Sequence, residues 1–218
     1  MILRLAPRTS GAPLKLLLLG AHADDIEIGC GGTVLRLLSE HPGAEVRYVA
    51  FASTPERAAE ARAAAAELTA GAAHTTVELH DFRDSFFPWD QPVRLKEAMG
   101  ALRKSFDPDV VFTHRREDLH QDHALIAQLT WNAFRDHLIL EYEIPKYEGD
   151  LTPPNVYVPL DDATAHRKVN LILRHYASQA GKGWFRGETF EAVMRLRAIE
   201  CNAHAGWAEA FHGRKILL

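Results

Sequence analysis

LLLLGAHADDIEIGCGGT, residues 16–33, is the stretch from which the fold can be read. The apolar run from Leu14 to Gly20 is too short for a helix of ordinary length and shows no alternation of apolar and polar residues. Both features mark a strand buried on its two faces, the kind found inside parallel sheets. At its tip stand one histidine and two adjacent aspartates, His22, Asp24 and Asp25. A strand that buries four leucines should end on acids only where the acids have a task.

Beyond that tip, apolar residues at Val34, Leu35, Leu37 and Leu38 predict a helix over 33–40, closed by His41-Pro42-Gly43. Gly29-Cys30-Gly31-Gly32 is then expected to be a tight loop, since glycine permits sharp backbone turns. The loop does not fit G-x-G-x-x-G, which argues against a dinucleotide site. Cys30 reads as a small buried residue. The alternation continues: strand 46–52, an Ala-rich helix opened by Thr54-Pro55 and running to about Thr69, strand 75–79, helix 94–106 and strand 110–113. A helix is expected over 124–137, strands over 138–143 and 155–160, and helices over 163–177 and 188–200. The pattern predicts an α/β, Rossmann-like fold: a mostly parallel sheet flanked by helices, with a mixed or helical C-terminal portion. In such sheets ligands sit beyond the carboxyl ends of the strands.

With 218 residues and 47% hydrophobic content the chain can bury a substantial core, and one domain over 1–218 is expected. A net charge of −4, from 25 basic against 29 acidic residues, supplies no field for nucleic acid or anionic lipid. No run is long enough to span a membrane and no secretory signal pattern is evident, so a cytoplasmic protein is expected. Two cysteines, Cys30 and Cys201, make no disulfide framework. A homo-oligomer is left open.

A second cluster, His120-Gln121-Asp122-His123, follows the strand at 110–113. Two histidines and one carboxylate, drawn from both clusters, would make a catalytic zinc site with a position left for water. That leaves a spare carboxylate to act as general base and a spare imidazole to donate a proton or hydrogen bond to an oxyanion. Spacing alone does not decide which aspartate takes which role. The plainer reading makes Asp24 or Asp25 a helix cap.

AHADDIEIGCGGT resembles the AHPDD…G.GG signature of the LmbE/PIG-L family of metal-dependent N-deacetylases, and LHQDH is similar to that family's later H..DH motif. AEAF at 208–211 looks like a recurring C-terminal element. Two positions depart from the pattern: Ala23 stands where the family usually has proline, and Ala198 follows Arg197 where glycine is expected. The resemblance implies that His22, Asp25 and His123 hold zinc, that Asp24 is the general base, and that His120 polarises the substrate carbonyl. It implies that Asp122 orients His120. Iron, cobalt or nickel would also suit the ligand set. The implied reaction is hydrolysis of the acetamide of an N-acetylated amino sugar, free, nucleotide-linked or in a glycoconjugate. The rival readings are an amidase of another amide, including a thiol conjugate, and a non-catalytic sugar- or nucleotide-binding module.

Arg57 and Asp84 follow strands two and three at the same sheet edge and resemble family positions that bind sugar hydroxyls; a surface salt bridge is the alternative for each. His114, Arg115 and Arg116 are candidates for holding a substrate phosphate or carboxylate, or for a solvated loop. Phe86, Phe87 and Trp89 are candidates for a sugar-stacking wall or for core.

Overall fold

The leucine run is strand β1 (Lys15–His22) of a computed structural model that describes residue 5 and residues 7–216. Leu16, Leu17, Leu18 and Leu19 are all completely buried. Leu16 and Leu18 join one core, Leu17 and Leu19 the other, which is why no alternation is visible along the strand.

The chain continues through α1 (Asp25–Glu40), β2 (Glu45–Ala52), α2 (Pro55–Leu68), β3 (His74–Leu79), the single turn α3 (Phe87–Asp90), α4 (Pro92–Ser105) and β4 (Val110–His114). It then forms α5 (Gln121–Ala133), β5 (Leu138–Tyr142), β6 (Val156–Leu160), α6 (Asp162–His175), a 3-10 turn at Ala177–Gln179, α7 (Gly187–Cys201) and β7 (Trp207–Gly213). The strands make one sheet in the order β3-β2-β1-β4-β5-β7-β6. The first five in that order are parallel, and β7 runs antiparallel to both β5 and β6. One core packs apolar residues of α1, α2, α6 and α7 on the sheet; the other packs α3, α4 and α5 on the opposite face. This is the α/β sheet expected from the sequence. No helix among the described residues is long and apolar enough to cross a membrane.

β2 flanks β1 on one side, and β4, reached by a crossover from β3 at the edge, flanks it on the other. The crevice at the tips of β1 and β4 is therefore a topological switch point, the place where α/β sheets bind ligands. His22 ends β1 and His114 ends β4.

Three elements differ from expectation. Helix α1 begins at Asp25, eight residues before the predicted start, and Gly29–Gly32 lie inside it. These glycines serve close approach rather than a turn. A Cβ on Gly29 would overlap the Tyr142 ring, and one on Gly32 would come within 2.5 Å of Leu160 Cδ1. The helix is further docked by a buried ion pair. Glu209 accepts the backbone N–H groups of Gly32 and Thr33 at 2.9 and 2.6 Å, while Lys168 Nζ donates to the Ile28 carbonyl and to Glu209, each at 2.6 Å. Second, AEAF forms part of β7, a strand not anticipated, because its inward Glu209 breaks the apolar pattern that marks a strand. Third, α5 starts at Gln121, so Asp122 and His123 occupy its first turn.

Candidate metal centre and active site

The Asp24-Asp25 pair sits where β1 hands over to α1. Asp24 holds the cap position of α1, yet its side chain makes no capping bond. Its Oδ1 instead accepts from Arg57 Nη2 at 2.7 Å. Asp25 turns back over the strand tip, where Oδ2 accepts the His22 backbone N–H at 2.6 Å. The intervening Ala23 carbonyl accepts the hydroxyls of Tyr48 at 3.1 Å and Tyr176 at 2.6 Å. Both tyrosines are fully buried, so the loop is held from β2 and from the end of α6 although it lacks proline.

Three side chains converge in front of this loop. His22 Nδ1 lies 3.1 Å from His123 Nε2 and 3.4 Å from Asp25 Oδ2, and His123 Nε2 lies 3.6 Å from Asp25 Oδ1. Tetrahedral zinc with bonds of 2.0–2.1 Å would separate its ligand atoms by about 3.3–3.4 Å. The three residues therefore fit a divalent transition ion. Each imidazole also faces a carboxylate through its other nitrogen: His22 Nε2 is 3.2 Å from Asp122 Oδ2 and 3.2 Å from Asp84 Oδ1, and His123 Nδ1 is 3.1 Å from Asp118 Oδ2. That pairing is usual for metal-ligating histidines.

Other groupings of ligand types occur in the same cluster: His22 with His120 and His123, Asp25 with His114 and His123, and His22 with Asp84 and Asp122. The last two are poorer cradles. His114 Nε2 already accepts the Ala21 backbone N–H at 2.9 Å. Asp122 already accepts the N–H groups of Ser85 at 2.6 Å and Phe87 at 3.1 Å.

Burial shapes the charges. It pushes the Asp24 carboxyl up despite the opposing Arg57 guanidinium, which makes Asp24 a stronger base than an exposed aspartate. Burial, reinforced by neighbouring His114, brings the His123 imidazole down to about 3, leaving it neutral at ordinary pH. Burial and nearby His22 also lower His120. His22 is the exception: burial opposes its charge, but Asp25, Asp122 and Asp84 outweigh it and hold its pKa well above the ordinary value.

The expected site residues are thus brought together with one difference. His22, Asp24, Asp25, His120 and His123 share the crevice, the His120 ring lying 5.0 Å from His22 and 4.5 Å from His123 between centroids. Asp122, expected to orient His120, hydrogen-bonds His22 and the 85–87 backbone, and His120 Nδ1 has no hydrogen-bond partner. The reason is register. As a first-turn residue of α5, Asp122 faces the 84–87 loop, which Ser85 presents in a left-handed conformation at φ 67°. Arg57 and Asp84 both reach the cluster rather than forming surface pairs with each other or with distant charges.

His114 and Arg115 are buried, with Arg115 bonded to Thr152 and the Asp150 carbonyl, so neither forms a solvated loop; Arg116 is exposed. Phe87 is core, Phe86 lies near the surface and Trp89 is 76% exposed. Two residues escaped the sequence reading: Asp118 and Lys146, whose Nζ is 3.1 Å from Asp118 Oδ2. Asp118 stands two residues before His120 and was legible as one more carboxylate in the second cluster. Lys146 carried no local signal.

Residues 17–134 match the protein family described as PIG-L, GlcNAc-PI de-N-acetylase. Among solved structures, the chain is similar to the conserved protein TT1542 from Thermus thermophilus, with 24% identity over 94% of this chain and 96% of that one and a TM-score of 0.73. It is similar to N,N'-diacetylchitobiose deacetylase from Pyrococcus horikoshii, with 22% identity, 92% and 83% coverage and a TM-score of 0.68. It is also similar to GalB, the 4-carboxy-2-hydroxymuconate hydratase from Pseudomonas putida KT2440, with 18% identity, 94% and 98% coverage and a TM-score of 0.75. A deacetylase and a hydratase on one architecture mean that fold alone does not choose the reaction.

Proposed function

The chain belongs to the PIG-L family of GlcNAc-PI de-N-acetylases, and on that premise we propose that it is a zinc-dependent N-deacetylase acting on an N-acetylated amino sugar or a conjugate of one. The observation that carries this reading is the convergence of His22, Asp25 and His123 within 3.1–3.6 Å of one another, with Asp24 and His120 beside them at the switch point of the sheet. On this reading the residues form one catalytic domain over 1–218, working in the cytoplasm.

His22, Asp25 and His123 would hold the ion, which when bound supplies Lewis acidity that lowers the pKa of water and polarises a carbonyl. Asp24 takes the proton of the attacking water, a role favoured by the burial that raises its pKa. Arg57 keeps that carboxylate aimed through its 2.7 Å bond. His120, whose ring lies 5.0 Å from His22 and 4.5 Å from His123, would donate a hydrogen bond to the oxygen of the tetrahedral intermediate. The leaving amine receives a proton from Asp24 or from His120. Asp84, whose side chain is 70% exposed, and Arg57 would bind sugar hydroxyls.

The test is metal content and acetate release measured together, on purified protein offered a panel of N-acetylglucosamine derivatives with and without Zn2+ and a chelator. Chelator-sensitive acetate release supports the reading. Bound metal without acetate from any sugar overturns the sugar substrate and moves the search to other amides. Neither metal nor acetate overturns the enzyme reading in favour of a binding module.

A further inference from the structure

We infer that Asp118, clamped by Lys146, is a positioning residue that fixes the tautomer of His123 and sets the β4–α5 turn that holds His120 and leads into His123. The inference rests on the reading of His22, Asp25 and His123 as metal ligands.

Asp118 is 5% exposed, and its carboxylate serves three partners. Oδ1 accepts the His120 backbone N–H at 2.8 Å. Oδ2 lies 3.1 Å from His123 Nδ1 and 3.1 Å from Lys146 Nζ. An ionised carboxylate only accepts, so a neutral His123 facing it must carry its proton on Nδ1 and present the Nε2 lone pair. Nε2 is the atom that faces His22 Nδ1 and Asp25. A ring with the opposite tautomer would point an N–H at the ion position.

Lys146 holds this carboxylate in place. Its ammonium also donates to Asp150 Oδ1 at 2.6 Å, and Asp150 Oδ2 accepts the Leu119 N–H at 2.8 Å. The two acids, bridged by the lysine, thus accept consecutive backbone N–H groups, those of Leu119 and His120, just before α5 begins. One side-chain network therefore sets both the lone-pair direction of His123 and the position of His120.

The experiment compares wild type, Asp118→Ala, Asp118→Asn and Lys146→Met by two readouts. Long-range proton–nitrogen NMR spectra of the metal-free proteins report the His123 tautomer, and chelator competition with Zn2+ and Co2+ reports metal affinity. Expected are an Nδ1–H tautomer in wild type, a mixture in Asp118→Ala, and affinity about 10–100-fold weaker in Asp118→Ala. Asp118→Asn, whose amide oxygen still accepts from Nδ1, should keep the tautomer and recover part of the affinity. Lys146→Met should fall between Asp118→Asn and wild type.

An unchanged Nδ1–H tautomer in Asp118→Ala overturns the inference, because packing alone would then orient the ring. If Asp118→Ala does not fold, wild-type affinity in both Asp118→Asn and Lys146→Met overturns it instead. Failure of the underlying reading looks different: His123→Ala would bind metal as wild type does, while the Asp118 series still reports the tautomer.

Discussion

Asp24 and Arg57 are joined by a 2.7 Å hydrogen bond from the guanidinium to Oδ1, so the proposed base is held by a residue 33 positions away on a different helix. Arg57 reaches it from the first turn of α2, a helix started by Pro55 and capped by the Thr54 hydroxyl. Because Asp24 is outside the converging trio, its loss should separate chemistry from metal binding. Asp24→Asn is expected to retain metal and lose about 10²–10⁴-fold in turnover. Full activity in a metal-replete Asp24→Asn protein would remove Asp24 as the base.

Removing a ligand should give the opposite pattern. His123→Ala is expected to lose metal and activity together, with partial return of activity only at high added Zn2+. Elemental analysis after dialysis checks it, and stoichiometric retention of metal by His123→Ala would exclude this residue from the ligand set.

Asp122 carries two backbone N–H groups and His22 Nε2 on one fully buried carboxylate. An asparagine offers a single acceptor oxygen there, and a buried donor left unpaired costs about 1–3 kcal/mol. Asp122→Asn should therefore lose about that much stability in urea unfolding, and it should also weaken metal binding through His22. A variant with impaired turnover but unaltered metal affinity would instead return Asp122 to the service of His120.

Gly29 and Gly100 make a matched pair of tests for close approach inside helices. A Cβ at Gly29 would overlap the Tyr142 ring, whereas one at Gly100, in α4, meets nothing within 4 Å. Gly29→Ala is expected to destabilise by about 1–3 kcal/mol. Gly100→Ala should stabilise by about 0.5–1 kcal/mol through helix propensity. Equal effects in denaturant unfolding would show that the α1–β5 contact tolerates a side chain.

Glu67 on α2 ties down α6 through His175 at 2.7 Å and Arg174 at 3.1 Å. The His175 contact and then the Arg174 charge hold the Glu67 carboxyl below its usual range. A depressed carboxyl contributes stability above its unfolded pKa of about 4.3 and loses it as pH falls through the folded pKa. Arg174 is exposed, so screening limits the pair to about 0.5 kcal/mol. Glu67→Gln should lose that amount at pH 7 and progressively less as the pH falls through the lowered pKa of Glu67. A loss independent of pH in urea melts would assign the effect to packing.

By itself the sequence determined the parallel α/β core and the residue types gathered at the candidate site. Both are written locally: β1 is apolar at every position from Leu16 to Leu19, and each cluster is contiguous in the chain. Tertiary structure decided everything that depends on long-range approach. Gly29 and Gly32 read as a loop until Tyr142, Leu160 and Glu209 are seen packing on them from β5, β6 and β7, where helix with a flat face is what the contact requires. The partner of Asp122 was likewise undecidable from spacing, since it depends on the 84–87 loop crossing in front of α5. Lys146, whose partner Asp118 precedes it by 28 residues, had no periodicity or motif to mark it. Short-range pattern encodes burial and chemistry, because both are properties of single residues and their neighbours; hydrogen-bond partnership is a property of pairs that only the folded chain brings within 3 Å or so.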